Sequence, residues 1–381
     1  MDNANHRILI PINNPLGGIK TYTLSYIRYL REEGFRFTIL APENNIFDQF
    51  QNEAKIFPDV EFIAVPDGSR FMKMVLAIRK TLKTKRFHLT HSQGLKAGFQ
   101  TSVAGWGLHI PQIVTLHDVI VPQNDMPGKG KWLKKRTTGF FTRYVNEIVP
   151  VSEDCAANHL KHFPEWKKGP CRITPILNGI DLDKFPATGL SDNSLRKQFQ
   201  FSDEMILLGF FGRFMPQKGF LPLLDAMEIL AARGYSERVR LIAAKDKDGY
   251  LSYFSAAQRN DVLRQMVRLI EPQNNIAALI SQMNLVLMPS LWEACSLVSM
   301  EAMLMGVPFL GSRCLGIREV LRDTPCRMCT PDDPASIADE IEYYVKHTWD
   351  EEAKKFAATA RRRFDVRNGI KQMSEIYRKF V

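Results

Sequence analysis

The chain has 381 residues with 45% hydrophobic and 10% aromatic content, a length and composition that suit two packed globular domains. Its net charge of +10 is uneven: residues 1–177 carry 24 Lys+Arg against 15 Asp+Glu, residues 178–353 carry 18 against 24, and residues 354–381 carry nine against two. No apolar run approaches the roughly 18 residues of a membrane-spanning helix, and six cysteines in so long a chain make no disulfide framework, so membrane-spanning and disulfide-stapled classes are set aside and a reducing cytoplasm is expected.

The start, MDNANHRILI, has no basic segment followed by a long apolar core, so no signal peptide is expected. RILIPI (Arg7–Ile12) reads as the first strand and leads to a helix from Ile19 to Glu33. FTILA, FIAV, LTHS and QIVTL follow as strands separated by helical stretches, and EIVPVS and RITPIL close the first half. After a polar connection the rhythm restarts with ILLGFFG, a helix from Phe220 to Arg233, VRLIAA, a helix around Ser252–Met266, VRLI and LVLMPS. Two basic helices, Glu351–Phe364 and Arg367–Phe380, end the chain. Strands alternating with helices predict an α/β protein with parallel sheets, here two doubly wound domains that bind ligands at the carboxyl ends of their strands. The boundary is expected within Leu177–Asp183, and the charge asymmetry points to an anionic partner for the first part and the tail.

Five stretches carry candidate chemistry. In NNPLGGIKTY, Gly17 and Gly18 precede the first helix; they suit either a ligand brought close to the backbone or a tight strand-to-helix turn. In QIVTLHDVI, His117 and Asp118 stand where a strand ends, either as site groups or as satisfied structural residues. In FFGRFMPQKGF, Arg213 and Lys218 follow a strand; two fixed cations there suit a diphosphate whose charge grows as a bond breaks, the alternative being a solvated loop. PCRMCT places Cys326 and Cys329 in a CxxC, which suits a zinc or redox site or simply two cysteines in a short strand.

The fifth stretch, PSLWEACSLVSMEAMLMGVPFLGS, is the most specific. In one continuous helix Glu293 and Glu301 would lie about 80° apart, a poor fit to one ligand atom. If the helix begins near Ser296, Glu293 lies in the preceding loop, Glu301 lies one turn in, and the amides of Leu297 and Val298 open between them as an anion site.

The Glu-x7-Glu followed by GVP, the GR…KG pair, the early GGI, ILNGID (Ile176–Asp181), PVSEDCAANHL and TPDDPASIADEI together resemble glycosyltransferase family 4. The match runs in order over nearly the whole chain. It implies a retaining, metal-independent enzyme of the GT-B fold: two Rossmann-like domains facing a central cleft, the last helix crossing back to the first. On this basis residues 1–177, with a C-terminal helix at about 366–381, form the acceptor-binding domain, and residues 178–365 bind the nucleotide sugar. The resemblance implies that Glu301 holds ribose hydroxyls and that Ser296, Leu297 and Val298 offer amides to the diphosphate. Arg213 and Lys218 neutralise the leaving nucleotide, Glu293 grips donor-sugar hydroxyls, His117 contacts the sugar near the reacting carbon, and Gly17 and Gly18 let a substrate approach. No cofactor or metal is implied, the donor being a nucleotide sugar, with UDP the commonest base among relatives. The chain departs from the family in having Ala294 and Ser296 where glycines are common, and Arg318 within Leu315–Glu319.

GKGKWLKKRTTGFFTRY (Gly128–Tyr144) sets Lys129, Lys131, Lys134, Lys135 and Arg136 at a helix start, where cations oppose the helix dipole. With Trp132, Leu133, Phe140, Phe141 and Tyr144 it suits an anionic membrane surface, or a solvated helix whose apolar face packs on the core. The partners expected are therefore a nucleotide-sugar donor, a glycan or glycolipid acceptor of lipopolysaccharide or other envelope type, and an anionic membrane surface at 129–144. The expected location is the cytoplasm, peripheral to the inner face of the membrane. The rival readings are a GT-B sugar-nucleotide epimerase or phosphorylase, and a basic nucleic-acid-binding protein, for which the sequence holds no recognisable motif.

Overall fold

Alternating strands and helices build two parallel sheets, one of seven strands and one of six. The computed structural model describes residues 6–67, 70–122, 131–187, 194–244, 250–273 and 275–381. The chain divides into two units, Met1–Asn178 with Val366–Val381, and Gly179–Asp365.

The first unit holds β1 (His6–Pro11), β2 (Phe35–Pro42), β3 (Glu61–Val65), β4 (Leu89–Gln93), β5 (Gln112–Leu116), β6 (Glu147–Pro150) and β7 (Arg172–Ile173), in the spatial order β3-β2-β1-β4-β5-β6-β7. Ile8 pairs with Phe37 on one side and Leu89 on the other. The central strands are apolar along their length because helices cover both faces. The order reverses between β1 and β4, so their following connections part and leave a crevice at the strand ends.

The C-terminal helix Val366–Arg378 belongs to this first unit. Val366, Ile370, Met373 and Tyr377 recur at helical spacing and join the core formed by Ile8, Tyr22, Tyr26 and Phe35. A Cβ on Gly369 would meet the Tyr26 hydroxyl at 2.6 Å, so the glycine sets how closely this helix lies on the first. His91 Nδ1 and the Tyr377 hydroxyl, 2.5 Å apart, fasten the helix to β4.

The second unit holds β8 (Ile206–Phe210), β9 (Val239–Ala244), β10 (Val267–Ile270), β11 (Leu285–Met288), β12 (Phe309–Ser312) and β13 (Arg327–Cys329), in the order β10-β9-β8-β11-β12-β13. Its reversal falls between β8 and β11, where Leu208 pairs with Leu285.

Two expected elements differ. The helix anticipated around 252–266 is two, Tyr250–Ala257 and Asp261–Met266, because extended Asn260 caps the second by accepting from the Leu263 amide at 2.9 Å. RITPIL is strand only at Arg172–Ile173; Pro175 has no N–H to continue the ladder, although the amides of Thr174 and Ile176 still reach β6. Among the described residues no helix is long and apolar enough to cross a membrane.

Cys326 and Cys329 are free thiols, pushed up to about 11 and about 12 by burial. No group of three ligating side chains that could hold a metal occurs among the described residues.

Candidate active site

The second unit gathers its chemistry where β8 and β11 end. The helix Leu297–Leu304 begins after Ser296, whose hydroxyl caps it by accepting from the Ser299 amide at 3.4 Å. Leu297 and Val298 thus occupy the first turn, where backbone amides have no intrahelical acceptor and the helix dipole favours negative charge. Glu301 lies one turn further in.

Glu301 is half-buried and, among the described residues, neither oxygen takes part in a hydrogen bond or ion pair. Burial pushes its carboxyl up to about 7, against the opposing pull of the Lys184 charge. An acid left in that state is short of donors, and a vicinal diol supplies two.

Glu293, by contrast, is buried and engaged. Its Oε1 accepts from Lys218 Nζ at 2.5 Å and from the Ser290 hydroxyl at 2.8 Å. Oε2 has no partner among the described residues and is the atom left to meet a ligand. The structure therefore brings Lys218 and Glu293 together as a pair that answers much of each other's charge. Arg213, at the start of the same loop as Lys218, is exposed, and its guanidinium has no partner among the described residues.

The loop Pro289–Ser296 is held from two sides by glycines. Gly219 has φ 70°, and a Cβ there would lie 2.0 Å from the Pro289 carbonyl oxygen. Gly316 has φ 75°, and its Cβ would lie 2.5 Å from the Glu293 carbonyl oxygen. Both positions require glycine twice over, for backbone conformation and for space. The Leu291 amide donates to Gln217 O at 2.8 Å, the Gln217 side-chain amide donates to Trp292 O at 2.8 Å, and the Ser312 hydroxyl donates to Ser290 O. The loops after β8, β11 and β12 are thereby one body.

In the first unit, Gly17 has φ 56° and precedes the helix Gly18–Glu32, so the tight turn itself demands glycine. Among the described residues nothing lies within 4 Å of where its Cβ would be, so they leave the space a ligand needs. His117 stands at the end of β5 with its Nε2 2.8 Å from Gln93 Oε1 and its ring edge-on to Tyr22, 4.8 Å between centroids. Burial lowers its pKa to about 3, so the imidazole is neutral. Donation to Gln93 puts the proton on Nε2 and leaves Nδ1 as an acceptor. Asp118 is exposed and its Oδ1 accepts from the Val119 amide at 2.8 Å.

The basic stretch becomes the helix Lys131–Thr142, with Lys129 outside the described residues. It packs inward through Thr138, Gly139 and Thr142, the last accepting from Trp166 Nε1 at 3.0 Å, and a Cβ on Gly139 would strike the Glu165 carboxylate. Leu133, Phe140 and Tyr144 are instead exposed, as are Trp132 and Trp106, whose ring stacks near Phe140. Phe141 is half-buried with its ring 5.9 Å from that of Phe99, so this face packs inward through Phe141 and small residues while its other large side chains stay exposed.

Gln93, Ser290, Lys184 and the supporting roles of Gly219 and Gly316 were not apparent in sequence. Gly219 lies inside FFGRFMPQKGF, Gly316 inside Leu315–Glu319, and Lys184 follows ILNGID by three residues, whereas Gln93 and Ser290 carry no sequence signal.

The pattern of Glycosyltransferase Family 4 matches residues 16–184 and that of Glycosyl transferases group 1 matches residues 206–347, one for each unit. The chain belongs to glycosyltransferase family 4. This family 4 enzyme is 22% identical over 325 residues, 81% of this chain and 80% of the other, to the UDP-Gal:alpha-D-GlcNAc-diphosphoundecaprenol alpha-1,3-galactosyltransferase of Escherichia coli. Its fold is GT-B. A glycosyltransferase from Rickettsia africae superposes with TM-score 0.80 at 17% identity, covering 99% of each chain. Anabaena HepE in complex with UDP-glucose superposes with TM-score 0.78 at 20% identity, covering 98% of this chain and 99% of the other.

Proposed function

We propose that this glycosyltransferase moves a sugar from a UDP-linked donor to a hydroxyl of a lipid-linked or other cell-envelope glycan, with retention of anomeric configuration and without a metal. The observation that carries the donor half is the half-buried Glu301, without a partner among the described residues, one turn inside a helix whose first amides open at the strand ends. Glu301 takes the ribose hydroxyls, while the amides of Leu297 and Val298 and the cations of Arg213 and Lys218 take the diphosphate. UDP and a lipid-diphosphate acceptor are supported by the relatives, whose names include UDP-Gal, UDP-glucose and GlcNAc-diphosphoundecaprenol.

As the bond from the sugar carbon to the diphosphate oxygen breaks, negative charge grows on the diphosphate. Arg213 and Lys218 are most useful at that moment and so favour the transition state over the bound donor. Glu293, already bound to Lys218 and Ser290, is poorly disposed to act as a covalent nucleophile and instead uses Oε2 to hold a donor-sugar hydroxyl. The acceptor oxygen therefore bonds the same face that the diphosphate leaves, and its proton passes to the departing phosphate oxygen. On the first unit, neutral His117 accepts a sugar hydroxyl at Nδ1, and Gly17 and Gly18 leave room beside the first helix.

We place the enzyme in the cytoplasm; its peripheral attachment to an anionic membrane is supported by the exposed Trp106, Trp132, Leu133, Phe140 and Tyr144 beside Arg136 and Arg143. No nucleic-acid partner is proposed. The donor reading is tested by thermal shift with UDP-, GDP- and ADP-sugars in the presence of a chelator. Stabilisation by the UDP-sugar alone, with UDP release that needs an added acceptor and an α-linked product from an α-linked donor, is expected. UDP release indifferent to acceptor would point to an epimerase-type relative instead.

A further inference from the structure

A pocket of about 710 Å³ opens in the first unit at the carboxyl ends of β1, β4 and β5, and the mechanism above leaves most of it unused. Its walls are largely carbon: Ile19 from the first helix, Phe71, Leu95 and Phe99 from the helices flanking β4, and Ile120 after β5. Phe71 and Phe99 meet ring to ring at 5.0 Å, which gives the pocket a stiff aromatic wall. Two exposed lysines, Lys96 and Lys134, also border it. A saccharide is a poor occupant, because its hydroxyls would lose water against walls that return few hydrogen bonds. An apolar chain that ends in an anion fits both features.

We infer that this pocket takes the lipid-proximal end of the acceptor, the first isoprene units of a prenyl diphosphate, with the diphosphate beside Lys96 and Lys134. The inference rests on the lipid-linked acceptor reading and adds the place where the lipid is recognised. Lys134 and Thr138 belong to the helix that presents Trp132, Leu133 and Phe140 outward, so the same helix borders the pocket and carries the exposed aromatics. A chain leaving the pocket along it meets apolar surface rather than water. Asp118, also on the border, is occupied with the Val119 amide.

Binding of farnesyl diphosphate, inorganic diphosphate and farnesol to the full chain tests this, with UDP present so that the second unit's phosphate site is filled. Farnesyl diphosphate should bind at least tenfold more tightly than diphosphate. Ile120→Trp, which puts bulk into the pocket, should remove that gain while leaving stabilisation by UDP unchanged. Lys96→Ala with Lys134→Ala should weaken farnesyl diphosphate at least threefold and leave farnesol unaffected. If Ile120→Trp fails to fold, Phe99→Ala, which breaks the aromatic wall, should lower the gain in its place. Equal binding of farnesyl diphosphate and diphosphate, or a gain that survives both pocket variants, overturns the assignment. The two readings fail separately. Transfer to lipid-diphosphate sugars with no effect of the tail on binding removes the pocket assignment alone. Farnesyl diphosphate binding as described without transfer to any lipid-diphosphate sugar removes the acceptor reading and leaves a lipid-anion site.

Discussion

Replacing Glu301 with glutamine separates the cost of this acid from its use. Burial holds its carboxyl at about 7 instead of the ordinary 4.5. Between those values the folded chain keeps a proton that the unfolded chain releases, so stability is greatest at low pH and falls as pH rises through about 7. At 1.36 kcal/mol for each pH unit, carrying the charged form costs about 2.5 kcal/mol more near pH 8.5 than near pH 5. Glu301→Gln keeps the shape and removes the titration. Urea unfolding of both proteins at the two pH values should therefore show the variant gaining about 2.5 kcal/mol on the wild type at the higher one. The same variant should bind UDP-sugar ten- to a hundredfold more weakly, since a hydrogen bond to a charged acceptor is worth roughly 1.5–3 kcal/mol. Wild-type donor affinity should rise with pH up to about 7 and then level. Parallel stability curves for the two proteins, or unchanged donor affinity in the variant, would refute the reasoning.

Arg213→Ala should lower kcat on the order of a hundred- to a thousandfold with little change in KM, because its charge matters chiefly when the diphosphate leaves; a loss confined to KM would assign it to ground-state binding. Lys218→Ala leaves Glu293 charged and buried without its cation, and should destabilise the second unit by about 3 kcal/mol. Adding Glu293→Gln should recover part of that loss in denaturant melts; simple additivity would show that the pair is not coupled. Gly316→Ala should cost roughly 2 kcal/mol in stability and also weaken donor binding, through displacement of the Glu293–Ala294 backbone; normal donor affinity would show that the loop tolerates the shift. Trp132→Ser with Phe140→Ser should abolish sedimentation with anionic vesicles at low salt without changing the melting temperature, and full retention would remove the membrane reading.

The order of elements was open to inspection in the chain because it depends on local periodicity: β-like apolar runs at β1, β2 and β8 alternate with amphipathic helices, and a parallel sheet follows. The helix start at Ser296 was legible for the same reason, since a capping hydroxyl followed by an apolar turn is a local signal. Where local and tertiary demands competed, reading failed. Asn260 breaks a helix that periodicity alone carries through, and the apolar face of Lys131–Thr142, open to two readings in the sequence, divides between half-buried Phe141 and exposed Leu133 and Phe140.

What this sequence determined by itself was the alternation, the family, and the residue types waiting at the strand ends, all of which depend on neighbours in the chain. What only the tertiary structure decided was their state: Glu293 tied to Lys218 and Ser290, Glu301 half-buried without a partner among the described residues, His117 held neutral against Gln93, and an apolar pocket beside two lysines. Protonation and pairing depend on solvent exclusion and on groups tens of residues away, and those are properties of packing rather than of order along the chain.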